Sequence, residues 1–144
     1  MAFPYRRILC AVDFDSSATS AIQEAGALAR AADGVVILFH APWTNPIALE
    51  GYAAAELQKP QGGDASLKLE ELGRSTLGGA NYQCEIGFGE PGDSILQTVK
   101  SCGADLIVIA THGRHGMSRL ILGSVAERVV RSSTVPVLTV ARHR

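Results

Sequence analysis

The stretch DLIVIATHGRHGMSRLILGS, Asp105 to Ser124, decides the reading of the fold. Its apolar run Leu106-Ile-Val-Ile-Ala110 has the length and β-branched content of a fully buried strand. Gly113, Gly116 and Gly123 follow, and after Ser124 the apolar residues return at helical spacing. The segment is thus a glycine-rich connection between a strand and a helix, and its spacing is neither GxGxxG nor GxxxxGK[ST]. Two readings of the glycines stand on the residues alone. Gly113 and Gly116 suit the positive φ of a tight strand-to-loop turn. With Gly123 they also clear side chains from a helix start, where free amides favour an anion. Ser124-Val-Ala-Glu127 has the spacing of a capping box, and a capped helix end still presents other amides to a phosphate.

The same alternation runs outward from this stretch. Arg7 to Asp13 reads as the first strand; a helix follows with Ile22, Ala25, Ala29 and Ala32 on one face, closed by Asp33-Gly34. Val35 to Phe39 is the second strand. Residues 41 to 63, with three prolines and a Gly-Gly pair, read as an irregular excursion holding some helix near Gly51 to Gln58. Asp64 to Leu77 predicts a helix with Leu69, Leu72 and Thr76 inward, and Tyr82 to Ile86 a third strand. After the turn Gly87-Phe-Gly-Glu-Pro-Gly92, Ile95, Val99 and Cys102 mark a helix that Gly103 stops. Leu106 to Ala110 is the fourth strand, Ser124 to Arg131 a helix, and Pro136 to Ala141 the fifth strand.

Five strands alternating with helices predict a doubly wound α/β fold: a parallel sheet in the order 3-2-1-4-5 with helices on both faces. Ligands of such sheets sit at the carboxyl ends of the strands flanking the switch point, here the first and fourth. Asp13 and the glycine-rich segment stand at those two ends.

With 144 residues the chain has the length of one domain, taken as 1–144. Its 47% hydrophobic and 19% charged content and net charge of −1 give no bulk attraction to nucleic acid or anionic lipid. No run is long enough to span a membrane, and acidic residues stand where a signal peptide keeps its apolar core, so the expectation is a cytoplasmic protein. Cys10, Cys84 and Cys102 form no CxxC and no Cys/His pair at zinc spacing; Cys10 in a predicted strand and Cys102 on the apolar side of a predicted helix are expected as reduced, buried thiols.

Asp13 at a strand end reads either as an N-cap for the next helix or as an acceptor for a purine exocyclic amine or a metal-bound water. Asp15 projects near the same mouth, and two carboxylates beside a phosphate predict Mg²⁺ arriving with the nucleotide. Arg114, His115 and Arg119 add cations. No GxSxG elbow or paired nucleophile and base is present, so no catalytic residue is assigned.

The chain resembles the universal stress protein family over nearly its whole length. The residues that carry the likeness are ILCAVDFD, Phe39-His40-Ala41, Gly89-Glu90-Pro91-Gly92, ADLIVIATHGRHG, LGSVAERVV and VPVLTV. In that family's nucleotide-binding branch the pattern is glycine, two residues, glycine, nine residues, glycine, then serine or threonine. Gly113, Gly123 and Ser124 fit it; Ala110 stands at its first glycine, and Asp15 where many relatives carry serine. The resemblance implies an ATP site with Asp13, together with Ala11 and Val12, and the backbone of Ala41 near adenine. It places Gly113, Gly123 and Ser124 at ribose and phosphates, with their neighbours Ala110, Thr111, His112, Arg114, Gly116 and Val125. Asp13 is then the protein's share in holding Mg²⁺. The resemblance also implies a homodimer joined through the last strand, and Val135 to Val140 is apolar on both faces, as a strand seeking a partner would be.

Three functional classes follow: a regulatory dimer that binds ATP and signals stress, a nucleotide hydrolase or transferase using the same cradle, and a dimeric stress protein that has lost nucleotide. Retained Gly113 and Gly123-Ser124 favour the first over the third, and the missing general base favours it over the second.

Overall fold

The computed structural model describes residues 3–14, 18–42, 53–111 and 122–141, and of 53–63 the backbone alone. Five strands, β1 (Arg7–Ala11), β2 (Val35–His40), β3 (Asn81–Ile86), β4 (Leu106–Ala110) and β5 (Val137–Val140), alternate with four helices, α1 (Ala18–Ala32), α2 (Ala53–Thr76), α3 (Pro91–Cys102) and α4 (Ser124–Ser132). The sheet runs β3-β2-β1-β4-β5, parallel throughout, with Ile8 beside Val36 on one side and Leu106 on the other. This is the predicted order.

The central strands are apolar on both faces because both faces are covered. Ile8, Cys10, Val36, Leu38 and Val108 face α1 and α2, where Ala21, Ile22, Ala25 and Leu69 pack on them. Leu9, Ala11, Phe39, Ile107 and Ile109 face the other way, against Ile95 and Val99 of α3 and Ala126 and Val129 of α4. Small residues on α1 let that helix lie close to the sheet. α3 is bounded as its sequence predicts: Glu90 accepts from the Gly92 and Asp93 amides at 3.0 and 2.7 Å, Pro91 opens the helix, and Gly103 at φ 69° closes it.

Three details differ from the sequence reading. Residues 53–63, expected as largely irregular, belong to one helix continuous with Asp64 to Thr76. Pro60 forfeits a donor there, and Gly62 and Gly63 each cost roughly 1 kcal/mol; the anchoring of Ala65 and Leu69 in the core carries the helix through. At the end of α1 it is Asp33, not Gly34, that turns left-handed, at φ 52°. Gly34 is required by approach: a Cβ there would lie 2.8 Å from the Arg6 Cα. The first strand stops at Ala11, short of Asp13, because the chain turns away through Phe14 at φ 67°.

Candidate functional site

β1 and β4 are neighbours, with Ala11 beside Ile109, and their connections leave to opposite faces: α1 on one, α4 on the other. Diverging connections leave a gap above the carboxyl ends of the two strands. A crevice of about 1040 Å³ occupies it. Its floor is Ala11, Val12, Ile109, Ala110 and Thr111; one end is formed by Asp13, Phe14, His40 and Ala41, the other by Gly123, Ser124 and Val125. Asp64, Ala65 and Lys68 reach it from α2.

Of the predicted site residues, Ala11, Val12, Asp13, Ala41, Ala110, Thr111, Gly123, Ser124 and Val125 all line this crevice. His112, Gly113, Arg114 and Gly116 lie outside the described residues, as does Asp15. The two ends of the glycine-rich connection are tied: the Gly123 amide donates to the Thr111 carbonyl at 2.8 Å, and the Thr111 amide to the Val140 carbonyl at 3.0 Å. Thr111 and Gly123 are thereby held side by side, although eleven residues separate them in the sequence.

The start of α4 corrects the capping-box reading. Gly123, at φ −61° and ψ 158°, is the N-cap, and the first helical bond runs from the Glu127 amide to the Gly123 carbonyl at 2.9 Å. Ser124 is therefore the first helical residue, one position too late to cap, and the Glu127 side chain pairs instead with Arg131 at 2.5 Å. The amides of Ser124, Val125 and Ala126 precede the first helical bond, and among the described residues no side chain caps them. A helix start left this way attracts an anion through its amides and its dipole. Beside it, the Thr111 Oγ1 is buried and has no hydrogen-bond partner among the described residues. A buried hydroxyl left this way carries a desolvation cost that no described group offsets.

At the opposite end His40 is half-buried, and burial, with Lys68 nearby, holds its imidazole below the usual histidine range despite its hydrogen bond to Val12. The ring is therefore neutral near pH 7. Asp13 is exposed at the mouth. Lys68 and Asp64 pair at 3.4 Å, both more than half exposed, an arrangement that adds little stability. Among the described residues no group of three His, Cys, Asp or Glu could hold a metal by itself. Cys10, wholly buried with its thiol pushed up to about 12, lies in the core, not in the crevice. It, Cys84 and Cys102 are free thiols, Cys10 buried and the other two partly so.

Residues 4–141 match the model of the universal stress protein family. The chain belongs to that family. Universal stress protein MJ0531 of Methanocaldococcus jannaschii is 30% identical over 143 residues, covering 96% of this chain and 83% of its own. The solved structure of MJ0577, from the same organism, superposes with a TM-score of 0.85 at 28% identity, covering 97% of this chain and 98% of that one. A universal stress protein from Archaeoglobus fulgidus, solved in complex with dAMP, shares the fold at a TM-score of 0.67 and 21% identity, over 95% of this chain and 98% of its own. No described helix of this family member is long and apolar enough to cross a membrane.

Sequence reasoning missed Phe14, His40, Asp64 and Lys68 as lining residues. His40 had a usable signal, since it ends β2 directly before Ala41. Asp64 and Lys68 had only their spacing, one helical turn apart and flanking the inward Ala65 and Leu69.

Proposed function

We propose that this universal stress protein is a cytoplasmic regulatory protein that binds an adenine nucleotide, ATP foremost, in the crevice above β1 and β4. The observation that carries the reading is the start of α4, uncapped among the described residues, beside the buried hydroxyl of Thr111, which has no partner among them. Phosphate oxygens satisfy both, since they accept from amides and hydroxyls alike. The base lies toward Asp13 and Ala41, whose carboxylate and backbone offer an acceptor and a donor to adenine. The dAMP complex of the Archaeoglobus fulgidus relative supports an adenine nucleotide as the ligand class. Mg²⁺ would come with the nucleotide, held mainly by its phosphates, and Asp13, at the opposite end of the crevice, would reach it through a metal-bound water.

The protein acts as a homodimer joined through β5, whose outer edge bears the partly exposed Leu138. Mass spectrometry of the protein purified without added nucleotide, then denatured, tests the ligand: copurified ATP is the expected result. Calorimetric titration with Mg-ATP that gives no heat and no displacement of bound nucleotide would count against it. A multiple-turnover assay separates a binding protein from a slow hydrolase, and the expected rate is negligible.

A further inference from the structure

The base end of the crevice is built on a turn that β1 cannot hold by itself. β1 ends at Ala11, and Phe14 sits at φ 67°, a conformation that bulky side chains rarely adopt and that persists only where the surroundings enforce it. The enforcing contacts come from the end of β2. The Val12 amide donates to the Phe39 carbonyl at 2.9 Å, and the Val12 carbonyl lies 2.7 Å from His40 Nδ1. A carbonyl only accepts, so the hydrogen of this bond is carried by Nδ1, and in the neutral ring Nε2 is left as an acceptor. The imidazole also packs on the Phe14 ring, centroids 4.3 Å apart and planes tilted by 41°, while Lys68 Nζ lies over the same ring at 5.6 Å. His40 is itself anchored, because its carbonyl accepts from the Gly87 amide at 2.8 Å, in the turn before α3. One side chain thus grips both residues flanking Asp13: Val12 by its carbonyl and Phe14 by its ring.

We infer that His40 is a positioning residue of the nucleotide site, holding the turn of Val12, Asp13 and Phe14 so that the Asp13 carboxylate is presented to the base end of the crevice. The inference rests on the proposed nucleotide reading for its consequence in binding, but the grip on the turn exists without ligand. His40 acts through Asp13, and it needs both a hydrogen-bond donor and a flat ring.

Two measurements test this. The first is made without nucleotide. Hydrogen exchange resolved by residue in wild type and in His40→Phe, which keeps a ring but loses the donor, is expected to speed at least tenfold at the Val12 amide, which the Phe39 carbonyl holds, and to stay unchanged in β4. Equal protection of the turn in both proteins would overturn the inference, as would an acceleration spread evenly over the sheet, which marks a merely structural role. The second is a double-mutant cycle by calorimetry with Mg-ATP. His40→Phe is expected to weaken binding about tenfold in the wild-type background and less than twofold in Asp13→Ala, whereas His40→Asn, which restores a donor near the Nδ1 position, recovers part of the loss. Equal losses in both backgrounds would overturn the inference while leaving the nucleotide reading intact. Absence of Mg-ATP binding in folded wild type would instead overturn the nucleotide reading, and the exchange result alone would then decide whether His40 holds the turn.

Discussion

A buried hydroxyl without a partner costs about 1–3 kcal/mol of desolvation that folding does not recover. Thr111 bears such a group, without a partner among the described residues, at the crevice floor, so replacing it with valine, which keeps its shape, is expected to act with opposite sign on stability and on binding. Thr111→Val is expected to raise the stability of the ligand-free protein by about 1 kcal/mol and to weaken Mg-ATP about tenfold, the equivalent of ~1.4 kcal/mol. Urea melts and titration on the same samples check the pair; a variant that is destabilised and binds as before would show that the hydroxyl serves the fold. His40 gives a second residue-scale expectation. Burial holds its folded-state pKa below 6.5, so the unfolded chain takes up the proton first as pH falls. The stability His40 permits is therefore complete above pH 6.5 and declines as pH drops below it toward the native pKa. Lys68 opposes the proton as burial does, and the hydrogen bond to Val12 partly offsets them. Urea midpoints at pH 7.5 and 5.0 should fall further in wild type than in His40→Phe, and equal falls would rule out the imidazole as the source. Both residues show what was legible at this scale. Thr111 follows a strand in a recognisable pattern, whereas the role of His40 depends on where the Phe14 ring turns, which no local spacing encodes.

At the scale of elements, strands and caps with strong punctuation were readable and helix starts in mixed sequence were not. Glu90-Pro91 and Gly103 bound α3 because each supplies its own local interaction. The box of Ser124 and Glu127 failed for a tertiary reason: the bond from the Gly123 amide to the Thr111 carbonyl sets where the chain enters α4, one residue earlier than the side-chain spacing suggests. The extent of α2 was hidden similarly, since Pro60, Gly62 and Gly63 are local breakers that packing of its later turns overrides. The revised cap changes what substitutions at this helix should do. Ser124→Ala loses no cap bond, so its stability should stay within about 0.5 kcal/mol of wild type, the range of an ordinary surface change. Gly123 has backbone angles open to any residue, so Gly123→Val does not force the backbone, yet its side chain would stand at the helix start where phosphate is proposed. Affinity for Mg-ATP is expected to fall at least tenfold, or ~1.4 kcal/mol, in a protein that still melts cooperatively. Unchanged affinity in folded Gly123→Val would leave the glycine as punctuation and remove the phosphate from α4.

For the molecule as a whole, the sheet order was legible because alternation, length and right-handed crossovers leave few ways to cover both faces of five parallel strands. Association was less so, because it depends on how the two edges differ in three dimensions. At one edge, β3 turns Asn81, Gln83 and Glu85 outward, a polar row with a charge that discourages pairing. At the other, β5 offers Leu138, 38% exposed, and nearby α4 leaves Val130 44% exposed. A short strand with an apolar, unblunted edge is the better template for a second copy, and two-fold pairing closes the assembly by placing each copy's edge against its counterpart. Sedimentation at micromolar concentration is expected to give a dimer in wild type, a monomer in Leu138→Lys, and a dimer in Glu85→Lys, with the fold retained in all three. Because the proposed nucleotide crevice lies at the carboxyl ends of β1 and β4, away from the outer edge of β5, Leu138→Lys should keep its affinity for Mg-ATP within a few-fold. A wild-type monomer with and without Mg-ATP would refute the dimer, and a dimer that survives Leu138→Lys but dissolves in Glu85→Lys would move the interface to β3.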